Sequence, residues 1–222
     1  YRLLGVEEGP AGAAAPASRP SIAVLPFENL SGDPEQGYFA DGVVEDIVTG
    51  LARVKWLSVI ARNSSFVYRG SAADARQVGR ELSVRYVLQG SVRKDAGRIR
   101  IATQLVDAAS GAQLSAERYD RKLGDLFALQ DEIAMSVVGA IEPGLRKAEV
   151  ERVRRKRPET LGAYDLVLRA LPYLYKLMPE GSAPAIPLLE KALELEPGYS
   201  LAHAMLAWCL HVRFSRAGLH EE

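Results

Sequence analysis

The sequence predicts a two-layer α+β domain, in which helices cover one face of a mixed sheet, followed by an all-α segment. Two short apolar runs joined by a helical stretch indicate a parallel start to this sheet. Alternation of apolar and polar residues over 84–119 then indicates an antiparallel meander. From residue 160 onward the apolar residues recur at helical spacing.

The first strand is predicted over Ser21–Phe27, a short apolar run that follows Pro20. A helix should begin near Asp33, which can cap it, because Pro34 suits the first helical position and Gln36 can complete a capping box. One apolar stripe follows at near-helical spacing: Phe39, Val43, Ile47, Leu51 and Val54.

The next apolar run, Trp56–Ala61, predicts a second strand. A helix joins it to the first strand, so the two strands should run parallel. Ser71–Asp74 reads as a capping box that opens a second helix, which should continue through Leu82 with Ala75 and Val78 facing inward.

Three antiparallel strands are predicted next, with turns at Asp95–Gly97 and Ser110–Gly111 and a third strand over Leu114–Tyr119. The inward positions of the first two strands are Val84, Tyr86, Leu88, Val92, Ile99, Ile101, Thr103 and Leu105. One face of this meander should therefore be wet.

The wet face should carry four arginines, namely Arg85, Arg93, Arg98 and Arg100. A sheet that binds RNA would add exposed aromatic rings for base stacking, whereas Tyr86 falls on the buried side. We therefore expect a solvated face, with Glu117 or Asp95 as candidate ion-pair partners, and no nucleic-acid partner.

A long amphipathic helix is predicted over Leu126–Ile141, and Pro143 should end or kink it. Between Arg146 and Arg157, seven basic residues stand against two glutamates, a net charge of +5. This basic stretch is interpreted as a helical connector with a solvated face; a patch for phosphate or an acidic partner is the alternative.

Composition describes an ordinary globular protein. The 222 residues are 48% hydrophobic and 25% charged, and 28 basic residues balance 28 acidic ones. Bulk charge thus favours neither nucleic acid nor a membrane surface. Cys209 is the single cysteine, which excludes an internal disulfide. No apolar run approaches the ~20 residues that span a bilayer.

Four segments are expected along the chain. Residues 1–20 are rich in Gly, Ala, Pro and Ser and predict a flexible linker. The α+β domain covers 21–145, the basic connector 146–159 and the helical segment 160–222. Because the chain begins with Tyr1 rather than Met, we expect it to be a piece of a longer protein.

Two loops carry the candidate site residues. Asn29, Ser31 and Asp33 follow the first strand, and Arg62, Asn63 and Ser64 follow the second. Parallel strands deliver their carboxyl ends to one edge of a sheet, where ligands bind most often. Either these residues contact a small ligand or partner, or they cap and turn the chain while Arg62 pairs with Asp33 or Asp41.

No constellation for catalysis or metal binding is found, and no cofactor is expected. His203 and His211 are eight positions apart, too far for a helical zinc pair, and with His220 they are interpreted as helix-face residues. Cys209 reads as a packed thiol. Ser64-Ser65 lacks the G-x-S-x-G frame of a hydrolase nucleophile.

The segment Ala185–Leu210 resembles a tetratricopeptide repeat, with a helix that ends near Pro197 and a new helix after it. Ala163 and Ala202 are 39 positions apart, against the usual 34, so an insertion is expected near Met178–Ala183. The resemblance implies a surface for a protein partner. The second repeat has only its first helix, so self-association through this last helix is also expected.

The larger domain resembles the amino-terminal domain of TolB and the related FlgO-like domain. The resemblance rests on SIAVLPFENLSGDPEQGYFADG from Ser21, VIARNSSF from Val59, YVLQGSVRK from Tyr86 and LFALQDEI from Leu126. Similar domains occur in bacterial signalling proteins, after a class III adenylyl cyclase domain and one membrane span, or after a winged-helix transcription domain.

This resemblance implies a non-catalytic regulatory or protein-interaction region of a larger signalling protein. A small-ligand sensor, or the equivalent region of a winged-helix regulator, is the alternative. The cyclase's metal-binding aspartates have no matching stretch, so this chain is not expected to be an enzyme. It is expected not to insert into a membrane itself. A location on the periplasmic side is implied if a span precedes it, and a cytoplasmic one otherwise.

Overall fold

The computed structural model describes residues 19–32, 36–71, 74–95, 97–122, 124–156, 160–174 and 182–217. Contacts divide the chain into two compact units. The larger unit contains residues 19–155, and the smaller one contains the helices that follow residue 156. Residues 1–18 of the predicted linker, the cap at Asp33 and most of the predicted insertion near residue 180 lie outside the described residues.

A six-stranded mixed sheet forms the centre of the larger unit. Its strands are β1 (Ser21–Val24), β2 (Glu28–Asn29), β3 (Ser58–Val59), β4 (Tyr86–Asp95), β5 (Arg98–Asp107) and β6 (Gln113–Lys122). The order is β3-β1-β4-β5-β6, and β2 pairs with β4. β1 runs parallel to β3 and β4, whereas β4, β5 and β6 are antiparallel. The predicted mixed sheet is confirmed.

Two long helices, α1 (Gln36–Ala52) and α4 (Leu126–Arg154), pack with one face of this sheet. The alternating residues of β1, β4 and β5 meet the apolar stripes of both helices in one core. Its fully buried large side chains include Ile22, Ile47, Leu51, Tyr86, Leu88, Ile99, Ile101, Leu105, Ile133, Ile141 and Leu145. The inward register predicted for the meander is thus confirmed from Tyr86 onward, whereas Val84 is buried in the cluster on the opposite face.

A smaller cluster lies on the opposite face of the sheet, under helix α3 (Ala75–Glu81). Val78 of α3 packs there with Ala23, Val87 and Val106, which are the strand residues that alternate with the main core. The start of the sheet is therefore covered on both faces, while the rest of this second face is polar.

Three local predictions need correction. The strand predicted over Trp56–Ala61 is reduced to β3. The cap of α3 is Asp74 and not Ser71: its carboxylate accepts the Arg76 backbone N–H at 3.0 Å. Of the two effects predicted for Pro143, an end or a kink, the end does not occur: α4 continues to Arg154, because burial of Leu145 and Val153 beyond the proline offsets the lost backbone hydrogen bond.

The smaller unit contains α5 (Ala163–Leu174), α6 (Ala185–Leu195) and α7 (Ser200–Ala217). α5 packs on α6, and α6 packs on α7. The predicted stripe of α5 is buried, namely Tyr164, Val167, Leu168 and Leu171. On α7 the fully buried positions are Ala202 and Cys209, whereas Trp208 and Phe214 are exposed.

Candidate functional site

A groove of about 600 Å³ opens on the polar face of the sheet in the larger unit. One side is the loop that leaves β1, from Leu25 to Asn29, and the other is the turn Tyr68–Ser71. The floor is formed by polar and small residues of β4 and β5, namely Gln89, Gly90, Ser91, Ala102 and Gln104. Gln89 and Gln104 face each other across the strands, and their amides are 3.2 Å apart.

Gly90 sets how closely the loop after β1 can approach the sheet. A Cβ atom at this position would lie 2.5 Å from the Ala102 carbonyl oxygen and 2.9 Å from the Phe27 ring. These distances are below van der Waals contact, so only glycine lets the Phe27 ring rest directly on the strand. The sequence pattern did not reveal this role, because a lone glycine within a strand has several explanations.

The wall beside the groove is held by charged side chains around Phe66. The chain after β3 forms a short helix, α2 (Arg62–Ser65), and a 3₁₀ turn over Phe66–Tyr68. The guanidinium of Arg62 lies 4.2 Å from the Phe66 ring centroid and that of Arg69 lies 5.0 Å from it. Such cation–π contacts fix both side chains against the ring.

Both arginines also pair with carboxylates of α1. Arg69 donates to both oxygens of Asp41 at 2.7 Å. Arg62 donates to Glu45 at 3.1 Å and lies 3.8 Å from Asp41, so the predicted Arg62–Asp41 pair is present. Two guanidiniums against two carboxylates leave this cluster near neutrality, which weakens an anion site here.

The other predicted site residues have separate positions. Asn29 lines the groove, and its side-chain oxygen accepts the Ser31 backbone N–H at 3.0 Å. The Ser31 hydroxyl accepts the Lys94 backbone N–H at 2.9 Å, which ties this loop to β4. Asn63 and Ser64 are exposed on α2. Asp33 lies outside the described residues. The contact role of these residues therefore stays a prediction.

A buried carboxylate that the sequence analysis missed lies at the far end of α4. Glu149 is fully buried, and both of its oxygens lie 2.8 Å from an Arg85 guanidinium nitrogen. Arg152 adds a second guanidinium at 2.8 Å, and the Tyr86 hydroxyl donates at 2.6 Å. Burial, followed by the charge of Glu149, raises the pKa of Tyr86 well above its usual range. The predicted basic connector is thus anchored to the sheet at this point.

The ion pairs on the polar face of the meander differ from the predicted ones. Arg100 pairs at 2.6 Å with Asp120 of β6, to which Arg118 also lies close, at 3.5 Å. Arg85 is not on this solvated face, because its partner is the buried Glu149. For Arg85 and Arg100 these contacts replace the predicted pairs with Glu117 or Asp95.

Two of the three histidines and the cysteine have structural neighbours, and His220 lies outside the described residues. The His203 ring nitrogen lies 2.8 Å from the Pro197 carbonyl oxygen, and His211 stacks at a tilt on Trp208. Cys209 is fully buried, as predicted, and burial raises its pKa. Among the described residues no group of three His, Cys, Asp or Glu side chains could hold a metal ion, and no described helix is long and apolar enough to cross a bilayer.

Comparison with known families matches residues 18–136 to a model described as the second domain of HilA/YgeH-like transcriptional regulators. The chain is also 51% identical over 190 residues to a Rhizobium meliloti (strain 1021) protein named "Putative adenylate cyclase 3". That similarity covers 86% of this chain and 32% of the relative, so the chain spans about a third of the relative's length.

The solved structures to which the chain is similar are distant. TolB from Acinetobacter baumannii is 19% identical, with a TM-score of 0.42 over 59% of this chain and 29% of TolB. A PelC dodecamer from Paraburkholderia phytofirmans is 18% identical, with a TM-score of 0.41 over 58% of this chain and 93% of PelC. Lipoprotein GNA1162 from Neisseria meningitidis is 19% identical, with a TM-score of 0.42 over 55% of this chain and 95% of the lipoprotein.

Proposed function

We propose that this chain is a non-catalytic regulatory region of a larger bacterial signalling protein. The premise is that the chain belongs, through residues 18–136, to the family formed by the second domain of HilA/YgeH-like transcriptional regulators. In this role the α+β unit senses or docks, and the helical unit binds a protein. The chemistry or DNA binding that forms the output of such a protein would reside in another part of it.

One observation carries this proposal, the extent of the similarity to the Rhizobium relative. Identity of 51% extends over most of this chain but over only a third of the relative. Because the relative is named as an adenylate cyclase, we propose that the parent of this chain is a cyclase and that its catalytic residues lie outside the matched region. The engaged side chains of Asn29, Ser31, Arg62 and Arg69 support a structural and docking use of this surface.

The family description favours a second kind of output. Domains of this family are named for transcriptional regulators, so the parent could carry a DNA-binding domain instead of a cyclase. Both parents leave the role of the present chain the same, because a regulatory region acts by favouring one of two states of its output domain.

For the helical unit we propose a tetratricopeptide-like arrangement that binds a protein partner. Support comes from the packing of α5 on α6 and α6 on α7, with Pro197 and Gly198 between the last two helices. Several large apolar residues of α7 are exposed: Leu201 and Trp208 share one side of the helix, and Leu210 and Phe214 lie near the opposite side. An apolar surface of this kind is typical of a repeat that stacks against a further helix.

The output is tested on the complete gene product. We expect cyclic AMP formation from ATP by the complete protein and none by the 222-residue chain alone. Removal of residues 19–217 from the complete protein should change the rate of cyclic AMP formation, or the change in that rate when a cell extract is added. Turnover of ATP by the purified chain itself would contradict the proposal, whereas specific DNA binding by the complete protein would favour the transcriptional alternative.

The groove favours a second candidate function, a small-ligand sensor. Its volume of about 600 Å³ is within the range of small-molecule sites. Its floor offers the amides of Gln89 and Gln104 and the hydroxyl of Ser91, which donate and accept hydrogen bonds without carrying charge. These groups suit a neutral polar ligand better than an anion.

Ligand binding is tested by thermal unfolding of the chain against sugars, nucleosides and amino acids. Ala102→Phe would fill the floor of the groove, and Ala140→Phe on the exposed side of α4, away from the groove lining, is the control. A ligand of the groove should raise the Tm of the natural chain and of the control but not that of Ala102→Phe. Equal Tm values for all compounds would remove this candidate.

A further inference from the structure

The last strand of the sheet leaves one side unpaired. β6 pairs with β5 and ends the strand order, so within the described part of the chain no strand covers its outer side. In an antiparallel ladder alternate residues turn their N–H and C=O groups away from the neighbouring strand. Along the outer side of β6 these groups form a row that can accept another strand.

Proteins usually protect such an edge by short length, proline, bulges or charge, and of these β6 relies chiefly on charge. At ten residues β6 is longer than the average strand of 5–6 residues. It contains no proline, and the one irregularity of its pairing with β5 lies near Val106, away from its centre. The opposite edge strand, β3, has only two residues. The two edges of the sheet therefore differ strongly in their capacity to pair.

The charges at the centre of β6 are complementary to themselves. The sequence Glu117-Arg118-Tyr119-Asp120-Arg121 alternates in sign on both sides of Tyr119. Two copies that run antiparallel about a twofold axis at Tyr119 would place Arg118 opposite Asp120 of the second copy. They would also place Glu117 opposite Arg121 of the second copy. Each contact occurs twice, which gives four pairs of opposite charge.

Shifts of this register are unfavourable. If the twofold axis passes through Arg118, the Arg118 side chains of the two copies face each other. If it passes through Asp120, the two Asp120 carboxylates face each other. A centre at Glu117 also opposes like charges. Because like charges directly opposite each other destabilise a sheet, the register about Tyr119 is preferred among these neighbours.

The two charged groups next to Tyr119 remain accessible to a partner, whereas Arg121 already donates to Glu132 of α4 at 2.6 Å. The side chains of Arg118 and Asp120 are 65% and 46% exposed. Their mutual contact of 3.5 Å is long, since Asp120 is held more closely by Arg100 at 2.6 Å. Arg118 can therefore turn to a second carboxylate without breaking a strong contact.

We propose that two copies of this chain pair through β6, antiparallel and centred on Tyr119, so that their sheets become continuous. The occupant of this edge is a second copy because the strand's own charge pattern supplies the complement. This self-pairing goes beyond the regulatory role proposed above and does not depend on the identity of the output domain.

The test is sedimentation velocity of the 222-residue chain over a series of concentrations at low and high salt. Arg118→Glu would turn two attractive pairs into two repulsive ones, so we expect the dimer Kd to rise roughly tenfold or more. Adding Asp120→Arg to Arg118→Glu exchanges the two charges, restores complementarity and should restore the dimer. High salt should weaken the natural dimer, because its charge pairs are exposed.

Two controls separate this contact from other association. Lys147→Glu makes the same change of charge on α4, away from β6, and should leave the Kd unchanged. Phe214→Ser removes an exposed aromatic ring from α7 and should also leave the dimer intact. Circular dichroism establishes that each variant is folded.

Three outcomes would overturn the proposal. The natural chain could be monomeric at every concentration, or its dimer could persist in Arg118→Glu and disappear in Phe214→Ser. The charge-exchanged double variant could also remain as monomeric as the single variant, which would exclude pairing in this register.

Discussion

The Tyr86 hydroxyl donates to the Glu149 carboxylate at 2.6 Å, although the two residues are 63 positions apart in the chain. Tyr86 begins the first meander strand, and Glu149 lies in the last third of α4. With Arg85 and Arg152, these residues form a charge-assisted network at the end of the sheet. The network fixes the part of α4 that follows Pro143 to the strands.

Replacing Glu149 with alanine should destabilise the larger unit by about 3 kcal/mol or more, because loss of one partner of a buried ion pair leaves the other charges uncompensated. The matched control is Glu151→Ala on the same helix, since Glu151 pairs with Arg154 at the same spacing but is 45% exposed. Its effect should remain below about 1 kcal/mol. Urea unfolding at neutral pH measures both, and equal losses in the two variants would show that the Glu149 network contributes no special stability.

The same network predicts how the stability of the protein changes at alkaline pH. In the folded protein the pKa of Tyr86 is raised, chiefly by burial and then by Glu149. Above its ordinary value of 10.0 the unfolded chain loses the phenolic proton while the folded chain keeps it. The contribution of this residue is therefore complete below pH 10 and falls by up to about 1.4 kcal/mol for each further pH unit.

Tyr86→Phe removes this proton, so its loss of stability between pH 9 and pH 11 should be smaller than that of the natural chain. Tyr38→Phe is the control, because Tyr38 is 84% exposed and should change neither stability nor its pH dependence. Urea midpoints measured across this range compare the three proteins. Parallel curves for Tyr86→Phe and the natural chain would contradict a shifted Tyr86 pKa.

Periodicity predicted the strands and the long helices because burial imposes it directly on the sequence. From Tyr86 onward the alternation over the meander gave the correct inward residues, down to the buried Thr103, and it was wrong only for Val84. Glu149 was missed because it lies in a strongly basic stretch, which resembles a solvated helix face. A signal was nevertheless present: Ile141, Leu145, Glu149 and Val153 follow one another at spacings of four, on one buried face of α4.

Local rules failed where distant contacts decided the outcome. A proline predicts a helix end from backbone chemistry alone, but the burial of side chains beyond Pro143 favours continuation. The groove was only partly foreseen, through Asn29, because its floor combines a loop after β1 with positions of β4 and β5 that are distant in sequence. Such a juxtaposition depends on the sheet order, which the pattern of single strands does not determine.

Substitutions at the start of α3 can distinguish Ser71, the cap predicted from the sequence, from Asp74, the cap in the structure. Asp74→Ala should destabilise the chain, because the Asp74 carboxylate accepts the Arg76 N–H, while Ser71→Ala should have no effect on this helix. The hydrogen bond to Arg76 holds the pKa of Asp74 below its ordinary value of 3.8. Its contribution is thus present above that pH and is lost on acidification through the lower, folded pKa.

Thermal unfolding at pH 7 and at pH 3 measures this difference. Asp74→Asn should retain the contribution at neutral pH, since asparagine also caps helices, and should lack its dependence on acid. If Ser71→Ala lowered the Tm as much as Asp74→Ala, the capping box of the sequence-based prediction would be the better description.

Gly90 offers the sharpest steric prediction. Gly90→Ala should destabilise the larger unit by roughly 1–3 kcal/mol, because the new Cβ would overlap the Ala102 carbonyl and force the Phe27 ring off the strand. Gly139→Ala is the matched control: its Cβ would meet nothing within 4 Å on the exposed side of α4. It should stabilise the protein by up to about 1 kcal/mol, because alanine favours a helix over glycine.

The same added methyl group should therefore lower the free energy of unfolding at Gly90 and raise it at Gly139. Because Gly90 and Phe27 both line the groove, Gly90→Ala should also weaken any ligand found there, whereas Gly139→Ala should not. A stabilising Gly90→Ala variant would mean that the loop after β1 can lift from the sheet without cost, and the groove would then lack a fixed wall.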